Sequence, residues 1–83
     1  MTTKTNLNDT WTEVADTGES FWVTTISTTP AEVHVAASAP ASSAPGHPLR
    51  DGQWVDRGPS GKVYFRSAIT GQTAVIVVSK DAV

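Results

Sequence analysis

The sequence predicts a small all-β domain, an antiparallel β-sandwich or barrel of about 6–8 strands. Three observations predict it. Short runs rich in valine, threonine, isoleucine and aromatic residues recur along the chain. Turn signals built from Gly, Pro and Asp separate them at intervals of about 8–12 residues. No stretch repeats its apolar residues at the spacing of a helix.

The core is expected to condense around Leu49–Ser67. Three of the six aromatic residues, Trp54, Tyr64 and Phe65, lie there, and aromatic side chains bury more area than any others. Gln53–Asp56 and Lys62–Ser67 suit strands, and Arg57-Gly58-Pro59-Ser60-Gly61 between them suits a turn. The pattern predicts a β-hairpin with Trp54, Val63 and Phe65 in the core, and with Lys62, Tyr64 and Arg66 on the opposite side of the second strand.

Residues 1–9 are polar apart from Met1 and Leu7. They read as a flexible or extended arm, with Leu7 as the residue that would anchor it to a neighbour. Residues 10–83 form a single domain. Thr10–Ala15, containing Trp11, reads as a short strand, and Asp16-Thr17-Gly18-Glu19 as a turn. In Ser20–Ser27, Trp22, Thr24 and Ile26 alternate with Phe21, Val23 and Thr25. Both sets are half apolar, which predicts a strand covered on both sides, with Trp22 in the core.

Ala31–Ala37 alternates cleanly, placing Ala31, Val33, Val35 and Ala37 inward and Glu32, His34 and Ala36 outward. His34 therefore reads as a solvent-facing strand residue rather than a ligand, one that a partner could cover. Ser38–Pro48 holds three prolines in eleven residues. It reads as a long Pro/Ala/Ser loop, either a crossover between sheets or a contact surface, with Pro40, Pro45 and an exposed His47 as contact candidates. Gln72–Lys80 is the strongest strand. Its apolar run Ala74–Val78 predicts burial on both faces, with Val75 and Val77 in the core.

Composition narrows the function. A chain of 83 residues forms one small domain with a thin stability margin. It has no cysteine, which excludes disulfides and thiolate metal sites. Oligomerisation or docking on a larger partner is then the expected support. The net charge of −2 and the scattering of six cations from Lys4 to Lys80 argue against nucleic acid as a partner. No apolar run is long enough to span a membrane, and Met1-Thr2-Thr3-Lys4 lacks the apolar core of a secretory signal, so synthesis in a cytoplasm is expected. Asp51 and Asp56 sit at turn positions. Ser60-Gly61-Lys62 lacks the upstream glycine spacing of a phosphate loop. No cofactor, metal or catalytic set is expected, and the chain reads as a non-enzyme.

One resemblance adds to this. The succession Pro30–Val35, Ala39-Pro40, Gly46-His47-Pro48-Leu49, Asp51-Gly52, Gly61–Ser67 and Gln72–Val78 resembles small β-sandwich structural modules of tailed-bacteriophage virions. These occur as capsid decoration, head-fibre and tail components. The likeness covers about residues 20 to 80 and leaves out the Trp11 strand and the polar segment before it, which are candidates for adapting the chain to its own particle, with Trp11 as a contact residue. It implies a virion protein made in the host cytoplasm that binds a capsid or tail protein, first of all as a decoration (cement) protein stabilising the head. It also implies a homo-oligomer, with a trimer favoured. A tail or neck component is the alternative. A carbohydrate-binding adhesion module with an exposed tryptophan as stacking platform is the reading from another class.

Overall fold

The computed structural model describes residues 2–16, 21–52 and 61–80, together with the backbone of 54–57. Eight strands form two four-stranded sheets: β1 (Thr2–Leu7), β2 (Thr12–Ala15), β3 (Phe21–Thr25), β4 (Ala31–Ala36), β5 (His47–Leu49), β6 (Trp54–Arg57), β7 (Lys62–Ser67) and β8 (Ala74–Lys80). Sheet A has the order β1-β8-β3-β6 and sheet B the order β2-β7-β4-β5. All ladders are antiparallel. The all-β sandwich class read from the sequence is the observed one.

The core fills the space between the sheets. Sheet A contributes Leu7, Phe21, Val23, Ala74, Ile76 and Val78, and sheet B contributes Val14, Ala15, Ala31, Leu49, Val63 and Phe65. β3, β7 and β8 give alternate residues to this layer because successive side chains point to opposite faces of a sheet. In β2, by contrast, the register shift between Glu13 and Ala15 accompanies burial of the consecutive residues Val14 and Ala15. Thr25 is fully buried with them, and its hydroxyl donates to the Leu49 carbonyl at 3.4 Å, which ties the end of β3 across to sheet B.

Several expectations need correction. The predicted hairpin does not form: β6 pairs with β3 in sheet A, whereas β7 pairs with β2 and β4 in sheet B. The connection thus passes from one sheet to the other, and the same Gly/Pro turn chemistry serves either geometry. The expected core position of Trp54 and the turn at Gly58-Pro59-Ser60 lie outside the described residues. Val63 and Phe65 are core residues as expected, while Tyr64 is buried too, on the opposite side of the strand.

Among the described residues, β3 and β8 are each packed against the other sheet on one side only. Phe21, Val23 and Thr25 point inward, which leaves Trp22 53% and Ile26 47% exposed. Trp22 is therefore not a core residue. In β8 the inward set is Ala74, Ile76 and Val78; Val75 and Val77 are half-buried on the outer face rather than in the core. In β4 the parity is as expected, but burial fades along the strand. Ala31 is fully buried, Val33 packs partly buried against the core, and Val35 is 45% exposed.

The polar N-terminal segment is extended, but on its own domain. β1 pairs with β8 from Thr2↔Ser79 to Leu7↔Ala74, and Leu7 is fully buried in the core rather than held out for a neighbour. A cross-strand bond between the Thr2 and Ser79 hydroxyls (2.9 Å) closes its outer end, and the Asn8 carbonyl accepts from the Ser67 amide (2.7 Å), joining the end of β1 to sheet B.

Candidate functional site

The outward faces of the two sheets are different surfaces. The face of sheet B is polar and roofed by the Pro-rich loop. On β7, Lys62, Tyr64 and Arg66 point outward, opposite Ala36, His34 and Glu32 of β4. The register sets Arg66 directly across from Glu32, and their side chains meet with Nε 3.2 Å from Glu32 Oε1. The same guanidinium donates through Nη1 to the Ser42 carbonyl (2.7 Å) and through Nη2 to the Ala44 carbonyl (3.1 Å). It also lies 4.1 Å from the centroid of the Trp11 ring, within reach of a cation–π interaction. Planar arginine, with donors fanned around its rim, suits all these contacts at once.

Two further side chains hold the same loop. Trp11 donates its indole N–H to the Ala41 carbonyl at 3.2 Å. His34 places Nδ1 2.8 Å from the Pro45 carbonyl, with its ring 5.6 Å from that of Trp11. Gly46 passes so close beneath that a Cβ there would lie 2.8 Å from both Trp11 Cη2 and Glu32 Cβ. The loop is therefore fastened over the sheet by Arg66, Trp11 and His34. Of the sequence-level contact candidates, Trp11 and His34 are engaged within the domain. Pro45 and His47 are exposed, and Pro40 is half-buried.

Beside this roof lies an open cleft of about 320 Å³ lined by Asp9, Glu32, Ser42, Arg66, Ser67, Ala68 and Thr70. Its charged centre is already paired, since Arg66 and Glu32 neutralise each other. Among the described residues no group of three or more His, Asp or Glu side chains could hold a metal ion. The chemistry on this face is that of a structural clasp.

The outer face of sheet A is apolar along its middle. Alternation puts Trp22 and Thr24 of β3 on it, followed by Ile26 just past the strand, next to Val75, Val77 and Ser79 of β8, with Trp22 opposite Ser79 and Thr24 opposite Val77. Thr2, Lys4 and Asn6 of β1 border the row. Trp22 in β3 and Ile26 just beyond its end, whose amide donates to the Val75 carbonyl (3.0 Å), stand at its two ends, and the half-buried Val75 and Val77 lie beside them. The sequence offered a signal for this face, the half-apolar set Trp22/Thr24/Ile26, but hydropathy alone could not decide which of the two faces of β3 is covered.

Neither protein-family models, characterised proteins nor solved structures provide a match to this chain.

Proposed function

We propose that the chain is a structural protein of a tailed-phage virion, a decoration (cement) protein that seats the outer face of sheet A on a capsid protein as a homo-oligomer. The observation that carries this reading is the apolar row Trp22, Ile26, Val75 and Val77, with its two end members about half exposed. It lies on a sheet made rigid by three ladders. The resemblance to small β-sandwich virion modules supplies the kind of partner. Burying apolar surface contributes about 25 cal/mol per Å², and association costs take much of that back. A single 83-residue chain would hold weakly; many copies on one shell would hold firmly.

The same tryptophan favours a second reading. Trp22 stands beside the hydroxyl-bearing Thr24 and Ser79, the setting expected of an aromatic platform for a sugar ring. Electron micrographs of particles made with and without the protein separate the two. Loss of surface density, with earlier rupture on heating, supports decoration. Unchanged particles, together with glycan-dependent retention of the purified chain, support the sugar-binding reading instead.

A further inference from the structure

The two sheets end in four edge strands, and these differ in how far they are closed to further pairing. β5 is three residues long and contains Pro48. β2 is four residues long with a shift of register between Glu13 and Ala15. β6 is also four residues long. Shortness, proline and bulges are three of the devices by which native sheets avoid edge-to-edge association. β1 has none of them. It runs for six residues without proline, and its six register pairs with β8 follow one another without a shift. Alternate N–H and C=O groups of such a strand point away from its neighbour, and among the described strands none lies on that side of β1.

We infer that β1 pairs antiparallel with β1 of a second copy of the chain, joining two four-stranded sheets A about a two-fold axis. The residues of the strand select the register. A two-fold axis normal to the sheet keeps each face continuous, so opposed residues must come from the same face: Thr2, Lys4 and Asn6 outside, or Thr3, Thr5 and Leu7 inside. The registers with the greatest overlap are centred on Lys4 or on Thr5. Centring on Lys4 opposes two ammonium groups, which is destabilising. Centring on Thr5 sets Lys4 against the partner's Asn6 and Thr5 against the partner's Thr5, a favourable hydroxyl pair with no like charges opposed. Of the two registers with the greatest overlap, only the one centred on Thr5 keeps the two Lys4 side chains, a residue type that guards edges, from opposing each other.

This inference stands apart from the virion reading and differs from the trimer that the resemblance implies. The chain has no cysteine, so single thiols can report the register. At the Thr5 centre, opposed Cα atoms lie about 4.5–5.5 Å apart, within disulfide span. Two Thr3 positions lie four residues apart along the strands, about 13 Å. The full chain should sediment as a dimer at micromolar concentration, Thr5→Cys should cross-link on mild oxidation, and Thr3→Cys should not. Asn6 is exposed, so substitutions there should leave the melting temperature nearly unchanged. Asn6→Lys should weaken the dimer about two- to thirtyfold, since two cross-strand pairs change, and Asn6→Asp should tighten it. A monomer or trimer, a dimer that Thr5→Cys fails to link, equal cross-linking by Thr3→Cys, or shifts of the same sign from both Asn6 variants would overturn it.

Discussion

The guanidinium of Arg66 lies 4.1 Å from the centre of the Trp11 ring while it pairs with Glu32 and holds the carbonyls of Ser42 and Ala44. One side chain thus links β7, β4, the residue ahead of β2 and the Pro-rich loop. Its side chain is only 15% exposed, and that of Glu32 19%, so solvent screens the pair less than a surface ion pair.

Replacing Arg66 with alanine should therefore cost about 2–4 kcal/mol, from charge-assisted hydrogen bonds and the ring contact together. Arg66→Lys should recover less than half, because an ammonium group cannot reach all the acceptors with one geometry. Urea unfolding measures both. A midpoint for Arg66→Ala equal to wild type would show that the clasp contributes nothing.

That clasp was only partly legible in the sequence. Trp11, His34 and Arg66 stand out singly, but they are far apart in the chain, and only the β4–β7 register brings Glu32 opposite Arg66. Six strands are readable from periodicity because they carry alternating or continuous apolar runs. β1 is not, because its pairing is carried by backbone and by Leu7 alone, with polar residues on both faces. β5 hides behind Pro48, which a strand tolerates only at an edge. The connection between β6 and β7 misleads for a different reason: turn residues state that the chain reverses, not which sheet receives it. Where both faces of a strand are half apolar, as in β3, the covered face is fixed by packing against the other sheet.

The N-terminal strand provides the sharpest reversal of the arm expectation. Leu7→Ala should destabilise the domain by about 2–5 kcal/mol, the range for truncating a buried leucine. A chain lacking residues 1–7 would also leave the long β8 as a sheet edge, so it should be unfolded or aggregated by circular dichroism and light scattering. A truncated chain that melted like wild type would remove β1 from the fold.

Gly46 is required for closeness rather than for conformation. A methyl group there would press on the Trp11 ring and on Glu32 Cβ at 2.8 Å, forcing the loop to lift. Gly46→Ala should cost about 1–3 kcal/mol and shift tryptophan fluorescence. Gly46→Ala with unaltered stability and emission would mean that the loop does not lie against Trp11.

On the outer face of sheet A, the double substitution Trp22→Ser with Ile26→Ser should change stability by no more than about 1 kcal/mol, because the larger part of the core does not touch these residues' exposed area. Thermal melts check this. A loss of several kcal/mol would make them structural residues rather than a docking row.

The proposed role is tested most directly by adding the purified chain to phage particles that lack it and measuring occupancy in a reconstructed density map. Wild type should fill regularly repeated positions on the shell, with Trp22, Ile26, Val75 and Val77 facing the capsid protein, and the Trp22→Ser/Ile26→Ser variant should leave those positions empty. Equal occupancy by that variant, or a map in which the outer face of sheet A is turned to solvent, would contradict it.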